Sequence, residues 1–114
     1  MEVIDEGTLD VFRKAGYCDV CGCYTCRLQP HHIVRKNMGG HGNIDVRVNI
    51  LGVDVECHDR IHLGKISKER QLELVAQREG VSVDAIKEAL RAIRALPKNS
   101  PPEVWQALLP RRTT

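Results

Sequence analysis

Residues 30–63 run PHHIVRKNMGGHGNIDVRVNILGVDVECHDRIHL, a stretch that holds all five histidines of the 114-residue chain. Leu28 to Val34 has the composition of a strand, and Pro30 confines it to an edge or an irregular start. Residues 37–45, NMGGHGNID, form a loop with three glycines. From Val46 to Val53 the β-branched Val46, Val48, Ile50 and Val53 predict a second strand. A helix then starts near Val55 and runs to Leu63, where Gly64 ends it. Strand, loop, strand, helix is a ββα unit. His58 and His62 stand four apart on that helix, so they share a face and can share one metal ion. A solvated pair of helix histidines is the bland alternative. His31-His32 favours the metal, because imidazole is a common ligand and a natural general base near neutral pH. Neighbours on a regular strand point to opposite faces, so both serve one centre only near a strand end or bulge, which Pro30 favours.

Upstream, four of the five cysteines fall within Cys18–Cys26 as C-x-x-C-x-C-x-x-C. An odd count in such a cluster favours zinc over a disulfide framework. Tyr17-Cys18-Asp19-Val20-Cys21-Gly22 has the shape of a zinc knuckle, in which two thiolates three residues apart grip one tetrahedral ion and glycine permits the turn. No βαβ pattern surrounds it, which argues against a redox pair. Before it, Thr8 can cap a short helix from Leu9 to Ala15 that Gly16 stops. With only Phe12, Tyr17, Tyr24 and Trp105 as aromatic side chains, a core this small calls for a staple such as a metal.

After residue 65 the pattern turns helical. Ser67 caps an expected helix from Lys68 to Glu79, with Leu72, Val75 and Ala76 on one face. Gly80 breaks it, and Ser82 caps another from Val83 to Leu96 that buries Ile86, Ala89, Leu90 and Ile93 before Pro97 stops it. Ser100-Pro101-Pro102-Glu103 is a capping box for a last short helix that carries Trp105, Leu108 and Leu109 on one side until Pro110.

PHHIV, then Asn49-Ile50-Leu51, then Cys57-His58-Asp59-Arg60-Ile61-His62 resembles the HNH endonucleases, whose ββα-metal finger is named for its His–Asn–His series. The C-x-x-C-G ahead of it resembles the zinc ribbon of many members, and the resemblance spans about residues 18–63. It implies an α+β fold: a small zinc-stabilised ββα-metal finger over 1–65, preceded by a short helix and followed by a helical extension over 66–114. Ala76, Gly80 and Ile86 in that extension are spaced as in a helix-turn-helix, with a helical hairpin packed on the finger as the plainer reading.

The same resemblance implies roles. His31, His58 and His62 would hold a catalytic divalent ion, His32 would be the general base, and Asn49 would orient the hairpin and the base. Three imidazoles suit zinc, nickel or manganese better than magnesium, which prefers oxygen, so Mg2+, Mn2+, Ni2+ and Zn2+ are all to be tried. Family ribbons place a second C-x-x-C just before the helix histidine. Here Cys57 fills the last place, but three residues earlier stands Asp54. A hairpin that brings His32 near Ile50 would bring Cys26 near Glu56, and soft thiolates prefer thiolate company. The expected structural zinc set is therefore Cys18, Cys21, Cys57 and Cys26, with Asp54 as the alternative fourth ligand.

The net charge of +2 is uneven: residues 1–25 carry two basic and five acidic side chains, 26–65 six and four, and 66–114 nine and six. The basic lean of the middle and end is mild but of the sign that nucleic acid attracts. Arg35, Lys36, Arg47, Arg60 and Lys65 around the finger, and Lys87, Arg91 and Arg94 on the second tail helix, are the expected phosphate contacts. The start MEVIDEGTLD is acidic without an apolar run, and no segment approaches membrane-spanning length, so a cytoplasmic setting in a bacterium or phage-infected cell is the default. The expected activity is metal-dependent DNA cleavage, nicking or double-stranded, of the sort phage and mobile elements carry. One centre per chain would require a homodimer or two visits for a double-strand break. A non-catalytic zinc-finger or helix-turn-helix DNA-binding module, and an RNA-cleaving effector, are the competing expectations.

Overall fold

The computed structural model describes residues 12–34, 46–97 and 101–110. They form a small α+β fold of helices and two two-stranded antiparallel sheets. The first sheet pairs β1 (Gly16–Tyr17) with β2 (Tyr24–Thr25) and encloses the cysteine knuckle. The knuckle closes on itself: the Cys18 amide donates to the Cys23 carbonyl, and the Gly22 amide to the Cys18 carbonyl, both at 2.9 Å. Gly22 sits at φ 77°, a conformation that glycine adopts without steric cost.

The second sheet pairs β3 (Gln29–His32) with β4 (Ile50–Val53), Gln29 facing Val53 and His32 facing Ile50. The expected strand from Val46 is shorter than its β-branched pattern suggests, because Arg47–Asn49 winds into a 3-10 turn. That turn lets a side chain continue the ladder. Asn49, fully buried, accepts from the Val34 amide at 3.0 Å through Oδ1 and donates Nδ2 to the Val34 carbonyl at 2.9 Å. Its own carbonyl takes the Ile33 amide. Of the expected helix Leu9–Ala15, residues 12–15 are turn and bend, and residues 9–11 lie outside the described part.

Helix α1 (Val55–His62) follows β4 directly, with Asp54 as its cap. Ser67 caps α2 (Lys68–Glu79) by accepting from the Arg70 amide, and Ser82 caps α3 (Val83–Arg94) by accepting from the Ala85 amide. Between them Gly80 ends α2 at φ 71°. A short α4 (Pro102–Ala107) completes the described chain. None of the described helices is long and apolar enough to cross a membrane.

Burial does not respect the boundary at residue 65. One cluster of buried residues runs from Cys18 in the knuckle through Leu51, Val53, Cys57 and Ile61 to Leu72, Val75, Ile86, Leu90 and Ile93 in the helical pair. Every residue of β4 is buried, and a Cβ on Gly52 would stand 3.0 Å from the Phe12 ring. A polar clamp parallels this core. Asp19 accepts from the Gly52 amide at 2.8 Å and from Arg78 at 2.7 Å. Arg78 also donates to the carbonyls of Ile50 and Arg47 and to Glu79, and lies over the Phe12 ring. Knuckle, hairpin and α2 thus meet on one guanidinium.

Candidate metal centres

Two groups of donors converge. Cys18, Cys21, Asp54 and Cys57 bring one ligand atom each to within 4.8 Å of one another, and could bind a metal such as zinc. The C-x-x-C turn supplies two, and the start of α1 supplies the others one helical turn apart. Asp54 divides its oxygens: Oδ1 accepts from the Cys57 amide at 2.7 Å, while Oδ2 receives the Cys21 thiol at 3.1 Å.

The electrostatics fit a cation. The Cys21 sulfur takes a hydrogen bond from the Cys23 amide, which by itself lowers its pKa. Asp54, burial and the neighbouring thiols nonetheless push it up to about 11. Burial, then Asp54 and the other two cysteines, raise the Cys57 thiol further. Acidic groups crowded together resist ionising side by side, and a divalent ion among them reverses that balance.

Cys26 does not join this group. The ladder of β3 starts at Gln29, so the pairing ends at Val53, and the chain before it turns away through Leu28 into the knuckle sheet, where Cys26 is exposed. The fourth donor is Asp54, the alternative weighed from the sequence. Cys23 is exposed and outside the set.

The second group is His31, His58 and His62, again with nitrogens within 4.8 Å of one another. The ring centroids of His31 lie 5.3 Å from His58 and 5.5 Å from His62, and those of His58 and His62 4.6 Å apart. His58 Nε2 and His62 Nε2 face each other at 3.1 Å. The tautomer of His58 follows from its other nitrogen, which stands 2.6 Å from Gln29 Oε1. An amide oxygen only accepts, so Nδ1 carries the proton and Nε2 presents its lone pair to the cluster. Burial first, then the charges of His58 and His62, push His31 down to about 4. Burial and His62 lower His58 as well. Both imidazoles are therefore neutral near pH 7, the form that binds metal.

His32 ends β3 outside the three-nitrogen set, and Asn49 grips the two residues that follow it. Arg60 and Lys65 are exposed on and just after α1. Arg47 is not an open cation, since it makes a two-pronged pair with Glu79 at 3.0 Å. Lys87 pairs with Glu69 at 3.0 Å, and Arg91 and Arg94 are exposed. Arg35, Lys36 and His41 lie outside the described residues.

Sequence reasoning passed over two glutamines. Gln29 lies two residues before His31 and so on the same strand face, a spacing that could have found it. Gln71 stands one helical turn before Val75 on the inward face of α2, a polar residue in an apolar stripe. It is 6% exposed and donates to the Ile66 carbonyl. Its carbonyl oxygen lies beside the His31 ring, where it acts to raise that pKa, without the geometry of a formed hydrogen bond.

Gln29→Leu is expected to free the His58 ring and weaken metal binding at the histidine group by about 10- to 100-fold. Titrating Ni2+ into zinc-loaded protein by calorimetry measures this. Unchanged affinity would remove Gln29 from the site.

Comparison of the chain with family models, with curated proteins and with solved structures finds no match.

Proposed function

We propose that the chain is a metal-dependent HNH endonuclease that hydrolyses DNA phosphodiester bonds, with β3, β4 and α1 as its ββα-metal finger. The observation that carries this reading is the division of the histidines. Three imidazoles from β3 and α1 converge, while the fourth, His32, sits at the strand end beside them but outside their set. His31, His58 and His62 would hold the divalent ion, and the thiolate and carboxylate group would hold zinc. An ion at the histidine group supplies charge stabilisation to the phosphate and to the departing 3′ oxygen.

The chain's own residues supply the rest. His32 takes a proton from water as the water oxygen attacks phosphorus and the bond to the 3′ oxygen breaks. A base must hold its aim, and the Asn49 bracket on Val34 fixes the backbone just beyond His32. Gln29 holds His58 in the tautomer that leaves Nε2 unprotonated.

Supercoiled plasmid incubated with Mg2+, Mn2+, Ni2+ or Zn2+ tests the reading. Nicked or linear product is expected with at least one metal, abolished by EDTA and slowed about 10²-fold or more in His32→Ala. Intact plasmid under every metal, or full activity without His32, would overturn it. Binding without cleavage would return the chain to the class of DNA-binding modules.

A further inference from the structure

Gln71 is a buried amide on the inward face of α2, where its neighbours Leu72, Val75 and Ala76 are apolar. Its two ends are served unequally. Nε2 donates at 3.2 Å to the carbonyl of Ile66, just before the helix. Oε1 is buried and takes no hydrogen bond among the described residues. A buried acceptor left unpaired is costly and calls for an explanation. The amide cannot simply turn over, because a carbonyl only accepts and a flipped amide would set oxygen against oxygen at Ile66. Nε2 is therefore tied to Ile66, which leaves Oε1 beside the ring of His31.

The hairpin register accounts for this meeting. His31 stands opposite Leu51, and directly opposed residues of antiparallel strands project from the same face. Leu51 is buried in the cluster that holds Leu72 and Val75 of α2. The sheet face that carries His31 is thus the face that α2 covers, and Gln71 is the residue before Leu72.

We propose that Gln71 is a positioning residue of the histidine centre. When a divalent ion occupies that centre, Oε1 accepts the ring N–H of His31 and so fixes which nitrogen faces the ion. The proposal rests on the reading of His31, His58 and His62 as metal ligands. A neutral imidazole has one N–H and one lone pair, so a donor turned to Gln71 leaves the lone pair for the ion. Partners of this kind orient a ligand ring and raise its basicity. Gln29 serves His58 in this way from within the finger. Gln71 serves His31 from the helical extension, which makes α2 part of the centre rather than a support beneath it.

Two variants separate this role from a merely structural one. Gln71→Leu removes both the donor to Ile66 and the acceptor for His31, whereas Gln71→Glu as a carboxylate removes only the donor. Calorimetric titration of Ni2+ into protein loaded with one equivalent of zinc reads the histidine centre, after circular dichroism melts have verified folding. Gln71→Leu is expected to bind Ni2+ about 10- to 100-fold more weakly, and Gln71→Glu at least as tightly as the native chain. Equal weakening in both variants would trace the loss to Ile66 and overturn the proposal, as would unchanged affinity in Gln71→Leu. A 1H–15N spectrum of the native imidazoles with a second equivalent of zinc needs no variant. A His31 ring N–H sheltered from exchange with water is expected as the centre fills, and a rapidly exchanging one would overturn the proposal. A native chain that takes up no Ni2+ would remove the centre and this role with it. Nickel binding that depends on Gln71, without plasmid cleavage under any metal, would overturn the nuclease reading and uphold this one.

Discussion

Cys57→Ser is expected to strip the chain of most of its folding stability in zinc-containing buffer, leaving no cooperative thermal transition of native amplitude. Structural zinc contributes an apparent ~10–16 kcal/mol in small finger peptides at neutral pH, against about 5–15 kcal/mol of net stability for a typical domain. Cys57 is 3% exposed and lies in the continuous core between Val53 and Ile61. Serine there replaces a thiolate donor with a poor one and buries a hydroxyl among apolar groups. The loss cannot stay local, because the core that holds Cys18 and Cys57 also holds Ile86 and Ile93. Circular dichroism melts of both proteins, with zinc content measured spectrophotometrically after thiol modification, check the expectation. An equal melting temperature, or a native melt unchanged by a strong chelator, would show that the cluster is not a structural metal site.

Arg78→Met should destabilise the metal-loaded chain by roughly 3 kcal/mol, the scale for removing one partner of a buried ion pair. The side chain is 18% exposed, and its partners Asp19 and Glu79 are 17% and 14% exposed. Each carboxylate keeps another donor, Gly52 for Asp19 and Arg47 for Glu79, which tempers the penalty. The Ile50 carbonyl loses the Arg78 donor, and the Arg47 carbonyl keeps the Ile50 amide. A melting temperature lower by about 10 °C is expected. Arg78→Lys should recover only part of it, since an ammonium cannot reproduce the fork.

The pH dependence gives a second arm. Burial alone would raise the Glu79 pKa, but hydrogen bonds from Arg47 and Arg78 hold it below its ordinary 4.5. A carboxyl lowered in the folded state stabilises above its unfolded pKa, and that share is lost as pH falls through the lowered value. Chemical denaturation should therefore show wild-type stability falling below about pH 4.5, and less steeply in Arg78→Met. Identical pH profiles would count against the clamp.

The helices were legible because their punctuation is local. Ser67, Gly80 and Ser82 each act through atoms three or four residues away, and the observed bounds of α2 match the spacing. The hairpin register was legible too, with His32 opposite Ile50. What escaped depended on where strands stop. Val46 and Val48 are β-branched and buried, as a strand residue should be, yet the Asn49 amide bonds Val34 and favours a turn instead. The choice of Cys26 extended the ladder three residues too far. Softness matching favoured a thiolate, while the chain offered an aspartate already fixed as a helix cap. Arg47 looked like a phosphate contact because its partner, Glu79, is 32 residues away. No local pattern encodes that pairing, nor the meeting of Gln71 with His31.

The split duty of Asp54 has a consequence for how the two centres would trade ions with solution. With Oδ1 committed to the Cys57 amide, only Oδ2 faces the cluster. The carboxylate would then count as a single donor, and with three thiolates it would complete a tetrahedral set for a zinc ion, with no place for water. Three imidazoles would leave a fourth position for solvent. Exchange should accordingly be slow at the first and rapid at the second, so a chelator in small excess would empty the histidine group while the cysteine group kept its zinc.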